Sequence, residues 1–142
     1  MVMNDRADLA LLAGFDGVHV GQGDLSPEDA RRVVGASRLV GVSTHTEDQV
    51  QLAELSCADY IAIGPVFATG TKADAEAVVG LEGVRRARAL TTKPLVAIGG
   101  IARANARSVV EAGADSVAVI SALFAPGESV EQVARDFLEI LR

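Results

Sequence analysis

Two carboxylates near the start of the chain, Asp5 and Asp24, each follow a short β-branched run, so a parallel fold would bring both to one rim. With the amide of Asn4 or Gln22 they make an all-oxygen donor set. Mg2+ takes such ligands, keeps several waters and bridges to phosphate oxygens. The same spacing also fits Asp24 capping its loop and Asp5 opening a helix. Further along, Gly99-Gly100-Ile101 lies between an apolar run and a helical pattern, where backbone N–H groups can receive a phosphate. Ile120-Ser121 closes the next apolar run, the neighbouring position from which barrels complete such a site. Two tight turns built of small residues are the alternative. The segment from Gly64 to Asp74 carries Thr69, Thr71 and Lys72. Its hydroxyls and mobile ammonium suit an anionic ligand or, equally, a solvated surface connection. It lacks the glycine spacing of a Walker A loop. His19 and His45 stand near these positions, but no Ser-His-Asp arrangement can be assembled from spacing. Each is expected in a packed or hydrogen-bonded role.

The elements that must hold these residues are announced by a repeated connector. Ala13-Gly14-Phe15-Asp16-Gly17-Val18 recurs as Ala112-Gly113-Ala114-Asp115-Ser116-Val117, and more loosely as Ser56-Cys57-Ala58-Asp59-Tyr60-Ile61. Each copy follows an amphipathic stretch and precedes a β-branched run, and Gly14 and Gly113 suit the left-handed residue that ends a helix. Strands are predicted at Met1–Met3, Gly17–Val20, Leu39–Val42, Tyr60–Ile63, Leu95–Ile98 and Ser116–Ile120. Helices are predicted at Asp5–Gly14, Pro27–Val34, Glu47–Cys57, Leu81–Leu90, Ala104–Ala112 and Val130–Leu141. Ser26-Pro27 reads as an N-cap with proline in the first turn, and Thr46 to Gln49 as a capping box. Six β-α units in one run imply parallel strands covered by helices. Parity adds that Val18, Val20, Val40, Val42, Ile61, Ile63, Val96 and Ile98 form one β-branched face, opposed by glycine, small or polar residues. An interior of that kind favours a (β/α) barrel over a doubly wound sheet, which wants bulky apolar residues on both faces.

Composition bounds the partners. The chain has 142 residues, one domain's worth, with 13 Lys+Arg against 19 Asp+Glu and a formal charge of -6. With four Phe, one Tyr and no Trp, it offers neither the basic stripe nor the stacking platform that nucleic acid requires. Cys57 stands alone, which excludes an internal disulfide or a cysteine-rich zinc site, and its apolar neighbours predict a buried side chain. The apolar stretches are too short to span a membrane, and no export signal opens the sequence, so a cytoplasmic location is expected.

At these residues the chain resembles the thiamine-phosphate synthase family. The matching stretches run from Asn4-Asp5-Arg6 through Gly17 to Gln22 with Asp24-Leu25, and Gly41 to His45. They continue through Gly64 to Phe67, Thr69 to Asp74, Gly80-Leu81, Ala97 to Ile101 and Ala112 to Ser121, in family order over essentially the whole chain. The resemblance implies a TIM-type barrel, and a substitution in which an aminopyrimidine diphosphate and a thiazole phosphate give thiamine phosphate and diphosphate. It further implies Asp5 and Asp24 as Mg2+ ligands, and Asn4, Ser43 and Lys72 as contacts to the pyrimidine diphosphate. Thr69, Thr71, Gly100, Ile120 and Ser121 would fall on the thiazole-phosphate side. The family pattern has two further β-α units ahead of this one, with a Gln-Leu-Arg-x-Lys-type motif that helps hold the diphosphate. The chain opens at what reads as the third strand, six of eight units, so an open or truncated barrel with apolar edges is expected. Arg85-Arg86-Ala87-Arg88 falls mid-helix and reads as a solvated face, not as a replacement. An active truncated enzyme, a chain completed by another copy or a separate fragment, a phosphate-ligand binder without activity, and a thiazole tautomerase remain open.

Overall fold

The computed structural model describes residues 1–70 and 76–142. Six strands, β1 (Val2–Asn4), β2 (Gly17–Val20), β3 (Leu39–Thr44), β4 (Tyr60–Ile63), β5 (Leu95–Ile98) and β6 (Ser116–Ala118), alternate with six helices. These are α1 (Ala7–Leu12), α2 (Pro27–Val34), α3 (Glu47–Leu55), α4 (Gly80–Leu90), α5 (Arg103–Glu111) and α6 (Val130–Ile140). All strand pairs are parallel and lie in sequence order, β1 to β6. A doubly wound sheet reverses its strand order at a switch point, and this one does not. It is an arc of a (β/α) barrel.

Local chemistry explains most element ends. Ser26 Oγ accepts the Asp29 N–H at 3.1 Å with Pro27 in the first turn, and Thr46 and Gln49 close the expected capping box. Gly14 and Gly113 follow their helices at φ +69° and +113°. Four expected boundaries move. Asp5 adopts φ +63°, so α1 begins only at Ala7. β1 is displaced to Val2–Asn4, β3 runs on to Thr44, and β6 stops at Ala118 before a 3-10 turn at Ser121–Leu123. The α3 helix stops at Leu55 because Ser56 turns extended. Cys57 therefore sits outside it and is exposed, not buried as its neighbours suggest, with its N–H donated to Glu28 Oε1 at 3.1 Å.

The register decides what faces what. Val18 pairs with Val40, and Val42 with Ile61, and these side chains are buried under the helices against Ala10, Ala30, Val34, Val50 and Val84. Burying each such valine stabilises the fold by roughly 1.5–3 kcal/mol relative to exposure. The parity reading holds on β2, β3 and β4 and fails on β5. There Ile61 pairs with Leu95 and Ile63 with Ala97, so Leu95 and Ala97 are fully buried under the helices. Val96 and Ile98 face the inner side. An all-apolar strand has no polar residue to mark its inner face, and counting β-branched residues chose the wrong one.

At the N-terminal ends of the strands the repeated connector does one job three times. The Asp59 N–H donates to Val40 O at 2.7 Å while its carboxylate accepts the Val40 N–H at 2.7 Å. Asp115 does the same to Leu95, at 2.8 and 2.7 Å. Asp16 donates to Met1 O at 2.8 Å, and its carboxylate takes the Met1 amino group. Each aspartate leads into an even strand and clamps the first turn of the odd strand before it. Arg31 and Arg88, from α2 and α4, complete the Asp59 and Asp115 clamps at 2.6 and 2.8 Å. At the two outer strands apolar side chains stay uncovered, among them Leu12, Val2, Ile120, Phe124 and Leu138.

Candidate active site

The opposite rim, where strands end, surrounds a concavity of about 820 Å³. The sequence-derived candidates Asn4, Ser43, Thr69, Gly100, Ile120 and Ser121 all contribute to its wall. They come from five strand ends: Asn4 ends β1, Ser43 lies in β3, Thr69 follows β4, Gly100 follows β5, and Ile120 and Ser121 follow β6. Thr71 and Lys72 lie outside the described residues.

The glycine turn is shaped by close approach. Gly99 and Gly100 have φ +89° and +66°, and a Cβ on Gly100 would meet the carbonyl oxygens of Ala68 and Phe67 at 2.6 and 2.7 Å. Only glycine satisfies both demands. Two backbone bonds, from Val66 N to Ile98 O at 2.8 Å and from Phe67 N to Gly99 O at 3.1 Å, tie the loop after β4 to this turn. Helix α5 then starts at Arg103, with the Asn105 side chain accepting the Ala102 N–H at 2.8 Å. Turn, helix start and Ser121 thus bring backbone N–H groups and a hydroxyl to one part of the wall.

Asp5 and Asp24 follow the neighbouring strands β1 and β2, beside the concavity, and both are exposed. A non-glycine residue held at φ +63° costs on the order of 1 kcal/mol, and such strain gathers at ligand-binding positions. The Asp24 carboxylate accepts the Gly21 N–H at 2.8 Å, the loop-capping arrangement, and keeps its other oxygen for a further partner. Among the described residues no three His, Cys, Asp or Glu side chains group to hold a metal. Two carboxylates completed by water and phosphate oxygens are what Mg2+ takes, so the donor set fits that ion and not zinc.

The inner wall holds an arrangement that residue types alone left unassigned. The half-buried His19 imidazole lies between Tyr60 Oη, 2.9 Å from Nδ1, and Ser43 Oγ, 2.8 Å from Nε2. Burial pushes the Tyr60 phenol up, so it stays protonated at neutral pH. Gln22, considered above as a metal-side amide, instead donates to the Ser43 carbonyl at 2.6 Å. His45 donates from Nδ1 to Gly64 O at 2.5 Å, which turns the Nε2 lone pair outward. Parity had put His19, Gly41, Ser43 and Tyr60 on one face. The missing signal was the register His19–Gly41–Tyr60, which sets the glycine between the two rings.

Fold and wall together define a phosphate-ligand (β/α) barrel of the kind whose ligands sit at the C-terminal ends of the strands. The family model for thiamine monophosphate synthase matches residues 1–123. The thiamine-phosphate synthase of Koribacter versatilis is 58% identical over 141 residues, covering 99% of this chain and 65% of its own. That of Moorella thermoacetica is 45% identical, with 99% and 66% covered. The structure of thiamine phosphate pyrophosphorylase from Pyrococcus furiosus superposes with TM-score 0.88 at 37% identity, over 99% of this chain and 66% of that one. A 3-hexulose-6-phosphate synthase from Salmonella typhimurium, at 23% identity and TM-score 0.71, shares the fold. The chain belongs to the thiamine monophosphate synthase family. It spans about two-thirds of the length of the curated relatives it matches, 65% and 66% for the two above. No helix among the described residues is long and apolar enough to cross a membrane.

Proposed function

We propose that this chain is a thiamine phosphate synthase, a transferase joining hydroxymethylpyrimidine diphosphate to hydroxyethylthiazole phosphate. The carrying observation is that Asn4, Ser43, Thr69, Gly100, Ile120 and Ser121, scattered over five strand ends, line one concavity in a chain 58% identical to such an enzyme. In the reaction the methylene C–O bond breaks and its electron pair leaves with diphosphate. The thiazole nitrogen lone pair then forms the new C–N bond to that carbon.

The residues divide the work. Asn4 and Ser43, with Lys72 by resemblance, address the pyrimidine diphosphate. The Gly100 turn and Ile120-Ser121, with Thr69 and Thr71, address the thiazole phosphate, fixing the nucleophile at high effective concentration. Asp5 and Asp24 would hold Mg2+, which when bound neutralises charge on the departing diphosphate. Phosphorylated substrates of this kind are retained in the cytoplasm, and that is the compartment this reading implies. The uncovered apolar residues at β1 and β6 favour completion by further strands, from a second copy or a separate segment.

The test is thiamine phosphate formation by the 142-residue chain with both substrates and Mg2+. The expected result is turnover that EDTA abolishes and that Asp5→Ala reduces at least a hundredfold. Folded protein that binds thiazole phosphate without turnover would overturn the synthase reading in favour of a binding role. Isomerisation of the thiazole phosphate without the pyrimidine would do so in favour of a tautomerase.

A further inference from the structure

We propose that His19 is the positioning residue for Ser43, and that with Tyr60 it fixes the Ser43 hydroxyl as a hydrogen-bond donor toward the pyrimidine ring. The inference rests on the assignment of Ser43 to the pyrimidine substrate. Three adjacent strands build the device: His19 on β2, Ser43 on β3 and Tyr60 on β4. His19, Gly41 and Tyr60 share one rung of the sheet, so a side chain at the middle position would separate the two rings. Gly41 has none, and a Cβ there would sit 2.0 Å from Tyr60 Cζ. The tyrosine therefore lies across β3, its ring centroid 5.4 Å from that of His19, with its hydroxyl at Nδ1.

Proton accounting gives the consequence. A neutral imidazole carries one N–H. With the protonated Tyr60 hydroxyl donating to Nδ1, the ring proton sits on Nε2 and is donated to Ser43 Oγ. The serine hydroxyl hydrogen is then left for the concavity, where it matches an acceptor such as a pyrimidine ring nitrogen. In the other tautomer Ser43 would donate to Nε2 and offer the ligand only a lone pair. Tyr60 thus selects which way the serine points its proton, and Gln22 pins the Ser43 backbone from the other side through its 2.6 Å bond.

The experiment compares the affinities of the pyrimidine diphosphate and of inorganic diphosphate for the whole chain in Mg2+; their ratio isolates the ring. Ser43→Ala and His19→Ala are each expected to lower that ratio about tenfold, the worth of one good hydrogen bond, and the double variant no further than either. His19→Gln, which keeps an amide donor near the Nε2 position, is expected to recover most of the ratio. Tyr60→Phe is expected to lower it about threefold and to move the His19 15N shifts from one tautomer toward a mixture. Multiplying losses in the double variant, or a ratio untouched by His19→Ala, would overturn the proposal. Should His19→Ala fail to fold, Tyr60→Phe decides: an unchanged ratio with an unchanged tautomer overturns it. Wild-type chain that shows no preference for the pyrimidine compound over diphosphate removes the Ser43 assignment itself, a separate failure.

Discussion

The two ends of this barrel arc are built on opposite rules. At the N-terminal end the same residue performs the same task three times: Asp16, Asp59 and Asp115 each take both backbone groups of the strand beside them. At the C-terminal end no residue is used twice. An amide ends β1, a serine meets a histidine on β3, a glycine pair follows β5, and a 3-10 turn with a serine follows β6. Closing a strand against its neighbour is a symmetric problem with one good solution, so it repeats. Holding two different phosphorylated heterocycles is asymmetric, so each strand end departs from the others. Strain follows the same division, since Asp5, Gly99 and Gly100 hold positive φ at the site end.

The comparison is broken most severely by Gly41→Ala, which strikes the site end through the sheet. The new Cβ would overlap the Tyr60 ring, with Cζ, Cε1 and Oη all within 2.4 Å, so the ring must leave its place across β3. The expected cost is about 3 kcal/mol of stability, from overpacking between strands. Loss of the Tyr60–His19 bond should accompany it and lower pyrimidine diphosphate affinity. A urea midpoint and a binding isotherm on one preparation check both, and unchanged affinity would separate Tyr60 from the site.

Asp59→Ala tests the other end. It removes the acceptor of the Val40 N–H and the partner of Arg31, whose side chain is 20% exposed. A charge-assisted bond of this kind contributes about 2 kcal/mol, and the loss should appear as a lower unfolding midpoint. Ligand affinity measured well below that midpoint should not move. A variant that lost binding in proportion to stability would show that the two ends are not separable.

A smaller effect at the same end is set by acid. The Glu54 carboxylate accepts the hydroxyls of Thr91 and Thr92 and the Thr92 N–H, and these bonds, Thr91 first, bring it down to about 2 from the ordinary 4.5. A depressed folded value means that the bonds stabilise the fold above about pH 4.5. That contribution is lost as pH falls from there toward 2. Urea midpoints for the wild type and Glu54→Gln should therefore converge across that interval and differ most at neutral pH. Parallel curves would remove Glu54 as the cause.

The same division explains what could be read before any coordinates. The Asp connector was visible because it recurs, and it carried the strand order with it. His19 and Tyr60 were each placed on the inner face by parity, yet their contact depends on register across a glycine, which no single strand encodes. Val96 and Ile98 were misplaced for a related reason, since an apolar strand fixes its face only through its neighbours. Asp5 was read as a helix residue because composition does not show a left-handed backbone. Asn4, Ser43, Gly100 and Ser121 were reached through resemblance, and the fold explains how residues so far apart share one wall.

The arginine run of α4 supplies the smallest effect and sharpens the boundary between the two ends. Arg88 donates to Asp115 at 2.8 Å and to the Lys93 carbonyl at 3.0 Å, so it belongs to a clamp. Arg85 is 54% exposed and meets only Glu82, one helical turn away on the same face, at 3.1 Å. Its pair is screened by water and costs side-chain entropy to hold, so Arg85→Ala should change stability by about 0.5 kcal/mol or less. Its effect on diphosphate affinity should be smaller than the error of the isotherm. If that substitution instead weakened diphosphate binding severalfold, α4 would be supplying cationic charge to the site. The run would then have to be read as part of the anion-binding rim, and the clean separation of the two ends would fail at this helix.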